Sequence, residues 1–125
     1  MTEEEVKEIV YYLQNIFEFS LWEKVISFEQ SPDKDDADNL ADMTVWHDYR
    51  KYQLRIYPKF FTETRYSQVK TLIHEFCHIP TSLMSEQADR LLDGKLVTKE
   101  EIRVANESST SWFEQIIYKA LLTIK

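Results

Sequence analysis

His74 and His78 stand four residues apart, and Glu75 directly follows the first of them. At about 100° per residue, an α-helix places both imidazoles on one face, roughly one turn apart. Two neutral imidazoles so placed can reach one zinc ion at about 2.0–2.1 Å. Glu75 falls about 100° around the helix from His74, beside the metal, a position that suits a base better than a ligand. Zinc lowers the pKa of its bound water towards about 7, and a neighbouring carboxylate can take the proton as that water attacks a carbonyl. The chain has only three histidines, so this segment holds two thirds of its imidazole.

Other side chains offer chemistry with weaker positional logic. Cys77 lies three residues after His74, on the flank away from Glu75; thiolate binds zinc well, but a lone cysteine here reads more readily as a small buried hydrophobe. His47, at the end of an expected strand, reads as a surface histidine with substrate contact as the alternative. Tyr49, Tyr52, Tyr57, Tyr66 and Tyr118 are all candidate donors to a tetrahedral intermediate, and spacing does not choose among them. Trp22, Phe28, Trp46, Phe60, Phe61 and Trp112 read as core. Asp33, Asp35 and Asp36 lack the glycine and terminal glutamate of an EF-hand and read as a solvated loop.

The elements that must position the histidines follow from periodicity and punctuation. Thr2 and Glu5 form a capping-box pattern, followed by Val6, Ile9, Val10, Leu13, Ile16 and Phe17 at helical spacing, which predicts a helix from about residue 3 to 19. Residues 22–29 read as a strand. Residues 31–39 are a polar, acidic loop. Ala41, Met43 and Val45 alternate, as do Tyr52, Leu54 and Ile56, which predicts two more strands joined by a turn at 47–50 and closed by Pro58. Val69, Leu72, Ile73 and Phe76 mark a helix running into His78, where Pro80 predicts a kink or restart. Residues 81–93 then form a further helix capped by Gly94, and Thr98 with Glu101 opens a long one to about Leu122. The expected architecture is α+β: helix, three strands, three helices, in one domain.

Composition bounds the partners. A chain of 125 residues, 43% of them apolar, supports one core. One glycine and three prolines are few for an all-β protein with its many tight turns. A net charge of −7 repels phosphate backbones and anionic lipid heads, so neither nucleic acid nor a membrane is an expected partner. One cysteine allows no internal disulfide and no cysteine-based zinc ribbon. The first residues lack the basic and apolar segments of a signal peptide, and no apolar run reaches membrane-spanning length, so a reducing cytoplasm is the expected setting.

The segment His74-Glu75-Phe76-Cys77-His78 resembles the HExxH active-site helix of the zincin metallopeptidases. The chain departs from the metzincin extension, since Ile79-Pro80-Thr81 follow and no later histidine exists. In the gluzincin branch a downstream helix supplies a glutamate ligand, and Asn106-Glu107 looks like that branch's short element. The resemblance therefore implies a zinc ion held by His74, His78 and Glu107, with Glu75 as the catalytic base. From the residues alone Glu107 lies at the margin of an apolar stripe, and Glu114, Glu100 and Glu101 remain alternatives. The layout is also similar to small phage- and prophage-type metallopeptidase domains, implying a zincin-like domain in a bacterial or phage-infected cell. The same resemblance implies hydrolysis of a peptide or protein substrate lying along an edge strand, here expected near residues 53–57. The alternative is a zinc-binding interaction protein of the same fold with little or no peptidase activity.

Overall fold

The computed structural model describes residues 1–122. Its elements are helix α1 (Glu3–Ile16), strands β1 (Glu23–Phe28), β2 (Ala41–Trp46) and β3 (Lys51–Ile56), a 3-10 turn (Pro58–Thr62), and helices α2 (Arg65–Leu92) and α3 (Lys99–Leu122). The architecture is α+β, with an N-terminal helix, a small three-stranded sheet and a long C-terminal helix, as the periodicity predicts. The chain divides into two compact units, Met1–Cys77 and His78–Lys125, and the division falls inside α2. No helix among the described residues is long and apolar enough to cross a membrane.

In the first unit α1 begins at the predicted capping box: Thr2 Oγ1 accepts from the Glu5 amide, and the Glu5 carboxylate accepts from the Thr2 amide. The helix stops at Ile16 rather than near 19. Glu18 adopts a left-handed φ of 65°, and the Phe19 amide reaches back to the Gln14 carbonyl. This is a Schellman-type ending built without glycine, so no residue type announced it. It turns Phe19 fully into the core.

The sheet has the order β1-β3-β2, with β3 parallel to β1 and antiparallel to β2. The β2–β3 turn spans residues 47–50 as expected, closed by the Arg50 amide on the His47 carbonyl. It sets a register in which Asp42 faces Arg55 and Met43 faces Leu54. Tyr52, Leu54 and Ile56 are fully buried while their neighbours Lys51, Gln53 and Arg55 are half-buried, the alternation of a strand with one covered face. Because β3 is the central strand, residues 53–56 are bonded on both sides. The expectation that 53–57 forms a substrate-accepting edge is therefore corrected, and the edges are β1 and β2.

Phe76 of α2 anchors the core of this unit, with ring centroids 5.8 Å from Phe17, 6.2 Å from Phe19 and 5.5 Å from Tyr52. Val6, Val10 and Leu72 are fully buried as well. The Tyr52 hydroxyl donates to Gln14 Oε1 at 2.9 Å inside this core. Tyr52→Phe leaves that oxygen without its donor. We expect a loss of about 1–3 kcal/mol in urea unfolding, against less than about 0.5 kcal/mol for Tyr49→Phe at an exposed turn.

In the second unit Pro80 does not interrupt α2. The helix is continuous to Leu92, so the predicted restart is absent and two helices rather than three follow the sheet. Hydroxyls supply bonds to the carbonyls around the proline: Thr81 Oγ1 donates to His78, Ser82 Oγ to Ile79, and Ser109 Oγ of α3 to Pro80 itself at 2.8 Å. Gly94, at φ 76°, closes α2 as predicted, and the second capping box opens α3 through Thr98 and Glu101. Arg90 Nη1 donates to Glu101 Oε2 at 2.5 Å across that turn. This hydrogen bond, first among several causes, holds the Glu101 carboxyl below its ordinary 4.5. A depressed pKa contributes stability above the unfolded value that is lost as pH falls through the folded one. Urea unfolding should therefore separate wild type from Glu101→Gln at pH 7, with the gap closing as pH falls below 4.5.

Candidate metal centre

α2 is rotated by what it buries. Gln68, Leu72 and Phe76 point into the first unit, and Gln68 Nε2 donates to the Phe60 carbonyl at 3.0 Å. With those positions inward, the 100° step leaves His74 and His78 exposed, one turn apart on the same face. Glu75, one step from His74, is buried, with 7% of its surface accessible. The structure brings these three side chains together: one imidazole nitrogen from each histidine and a carboxylate oxygen of Glu75 all lie within 4.8 Å of one another.

Burial, and then the like charge of Asp42, push the Glu75 carboxyl up from 4.5 to about 7. Asp42 was not foreseen. It accepts Arg55 Nε at 2.6 Å, Arg55 Nη2 at 3.0 Å and the buried Tyr57 hydroxyl at 2.8 Å. Burial first, then the Asp42 bond, pushes the Tyr57 hydroxyl up to about 12. The signal for this group was present in the 47–50 turn, since its register sets Asp42 opposite Arg55. A hairpin reading that tracks polar cross-strand pairs finds it.

The remaining candidates are not members of this group of three. Glu107 is exposed on α3, and no group of metal-capable side chains among the described residues extends to it. Glu100 is engaged with Arg103 at 2.6 Å and Glu101 with Arg90, while Glu114 is exposed. Cys77 is half-buried, and burial pushes its thiol up, away from thiolate. His47 is half-buried with its ring edge-on to Trp22 at 5.5 Å. Among the tyrosines, Tyr52 is fully buried against Gln14 and is out of reach of any substrate.

The group of His74, Glu75 and His78 is close enough to hold a metal ion, and its two imidazoles suit a borderline divalent cation better than calcium or magnesium, which take oxygen donors. Comparisons with family models, with curated proteins and with solved structures return no match for this chain. The local geometry therefore carries the site reading by itself. Tag-free protein should bind one equivalent of zinc per chain in competition with a chromophoric chelator. His74→Ala and His78→Ala should each weaken binding by about a hundredfold or more, the share of one ligand among three or four.

Proposed function

We propose that this chain is a zinc-dependent peptidase in which Glu75 is the general base. The observation that carries the reading is the contrast within one helical turn: two exposed imidazoles beside a carboxylate that is buried and held near neutrality. A purely structural zinc site is closed by four ligands and has no use for such a carboxylate.

His74 and His78 are the two proposed imidazole ligands, and Glu107 is the proposed third. When bound, zinc supplies Lewis acidity to a substrate carbonyl and acidifies a water molecule. Glu75 then has two tasks. Its carboxylate oxygen accepts the proton of the attacking water, and the same oxygen returns that proton to the nitrogen of the leaving amine. A pKa near neutrality suits both steps, because the group must be a base first and an acid afterwards. A cation at the imidazoles also favours the ionised carboxylate, which offsets the burial and the Asp42 charge. The substrate is a peptide or protein segment, for which β2 is the sheet edge on the Asp42 side.

Both imidazoles lie on an exposed face, and this favours a second reading, a zinc-dependent interaction protein with little or no turnover. Glu75→Gln separates the two. For the peptidase, the variant keeps its zinc equivalent and loses about 10²–10⁴-fold in kcat on any peptide the wild type cleaves. Full zinc loading with no wild-type cleavage across a broad peptide panel sinks the peptidase reading. Glu107→Ala tests the third ligand separately, and an unchanged zinc affinity removes Glu107 from the site.

A further inference from the structure

The face of α2 that presents the two histidines continues upstream as a surface that the proposed chemistry does not use. Ridges at four-residue spacing run through Tyr66, Lys70, His74 and His78, and through Arg65, Val69, Ile73 and Cys77. The upstream parts of both ridges, Arg65, Tyr66, Val69, Lys70 and Ile73, line a shallow hollow of about 560 Å³. Its walls are mainly apolar, with Tyr66 77% and Ile73 42% exposed to water. Its rim is cationic. Lys70 Nζ stands 5.9 Å from the Tyr66 ring centroid, and Arg65 bonds Glu5 at 3.0 Å. Arg65 is thus paired with a carboxylate, and Lys70 is the cation that the rim presents on a chain of net charge −7.

We propose that this hollow is a docking subsite for the substrate, receiving a bulky apolar side chain next to an acidic one. The inference rests on the peptidase reading of the adjacent histidines. The apolar side chain fills the space between Tyr66, Val69 and Ile73, and the carboxylate meets Lys70 at the rim. A substrate laid along α2 past the histidines sets the register. Lys70 is four and Tyr66 eight residues before His74, about 6 and 12 Å along the helix at 1.5 Å per residue. An extended peptide advances about 3.3 Å per residue, so the docked side chain lies about two to four residues from the cleaved bond. The occupant is thus a peptide with an apolar–acidic pair at that distance.

The test uses zinc-loaded wild-type protein on a mixed-sequence peptide library, with Glu75→Gln as the blank and cut sites read by mass spectrometry. The expected cuts lie about two to four residues from Leu, Met or Phe beside Asp or Glu. Lys70→Glu should lower kcat/KM on a matched acidic peptide by about tenfold and turn the preference towards basic flanks. Ile73→Ser should erase the apolar preference. Zinc content and circular dichroism report whether each variant is folded. Cleavage with the same sequence preference in wild type and both variants overturns the docking inference and leaves the peptidase reading intact. Zinc binding with no cleavage above the blank overturns the peptidase reading and the inference with it. A concentration-dependent dimer in sedimentation that Ile73→Ser disperses assigns the hollow to a second copy of the chain and overturns the inference too.

Discussion

Burial of Phe76 against Phe17, Phe19 and Tyr52 fixes the rotation of α2, and the placing of every other side chain on the helix follows from that rotation. A fully buried aromatic contributes about 1.5–3 kcal/mol through removal of apolar area from water, and its edge-on contacts add to this. Glu75 precedes Phe76 by one residue and is drawn inward with it. Leaving a carboxylate there disfavours its ionised form by an amount of the order of a few kcal/mol, which is what a pKa near 7 expresses. Hydrophobic packing thus sets the protonation behaviour of the group beside the histidines. The two imidazoles, 100° and more around the cylinder, stay in water, within reach of a cation.

The parts of the fold that were legible from residues were those where one residue type has one physical meaning. Gly94 and Glu18 illustrate the limit. Both sit in left-handed backbone at the end of a helix, and both endings use the same pair of backbone bonds. Gly94 announced itself because glycine reaches that conformation without steric cost, whereas glutamate at residue 18 carries no such mark. Pro80 failed in the opposite direction. A proline inside a helical pattern removes one bond and crowds the carbonyl four residues back. Here α2 runs on through it to Leu92, and the Pro80 carbonyl takes a bond from Ser109 of another helix. Local sequence holds no record of that partner.

Strand existence was readable from alternation, but strand order was not. Alternation reports which face of a strand is buried and says nothing about its neighbours. β3 has the cleanest alternation because it is central, and the residues once expected at an edge are those most fully hydrogen-bonded. For the site, the histidine pair and Glu75 follow from helical geometry alone, since all three lie within two residues of one turn. Asp42 is 33 positions upstream of Glu75 in sequence and reaches it only through the sheet, so local sequence holds no trace of it.

Asp42 is held by two guanidinium bonds and one hydroxyl bond, so its charge is fixed in place and already compensated on one side. Burial raises the Glu75 carboxyl, and the residual field of Asp42 raises it further. A carboxylate needed only as a fourth structural ligand gains nothing from either influence, because a ligand must be ionised and both effects oppose ionisation. A proton-transfer group gains from both, since they bring its affinity for a proton close to that of the water it would deprotonate beside a divalent cation. The buried carboxyl, its fixed negative neighbour and the exposed imidazoles are the features on which the proposed proton-transfer role of Glu75 rests.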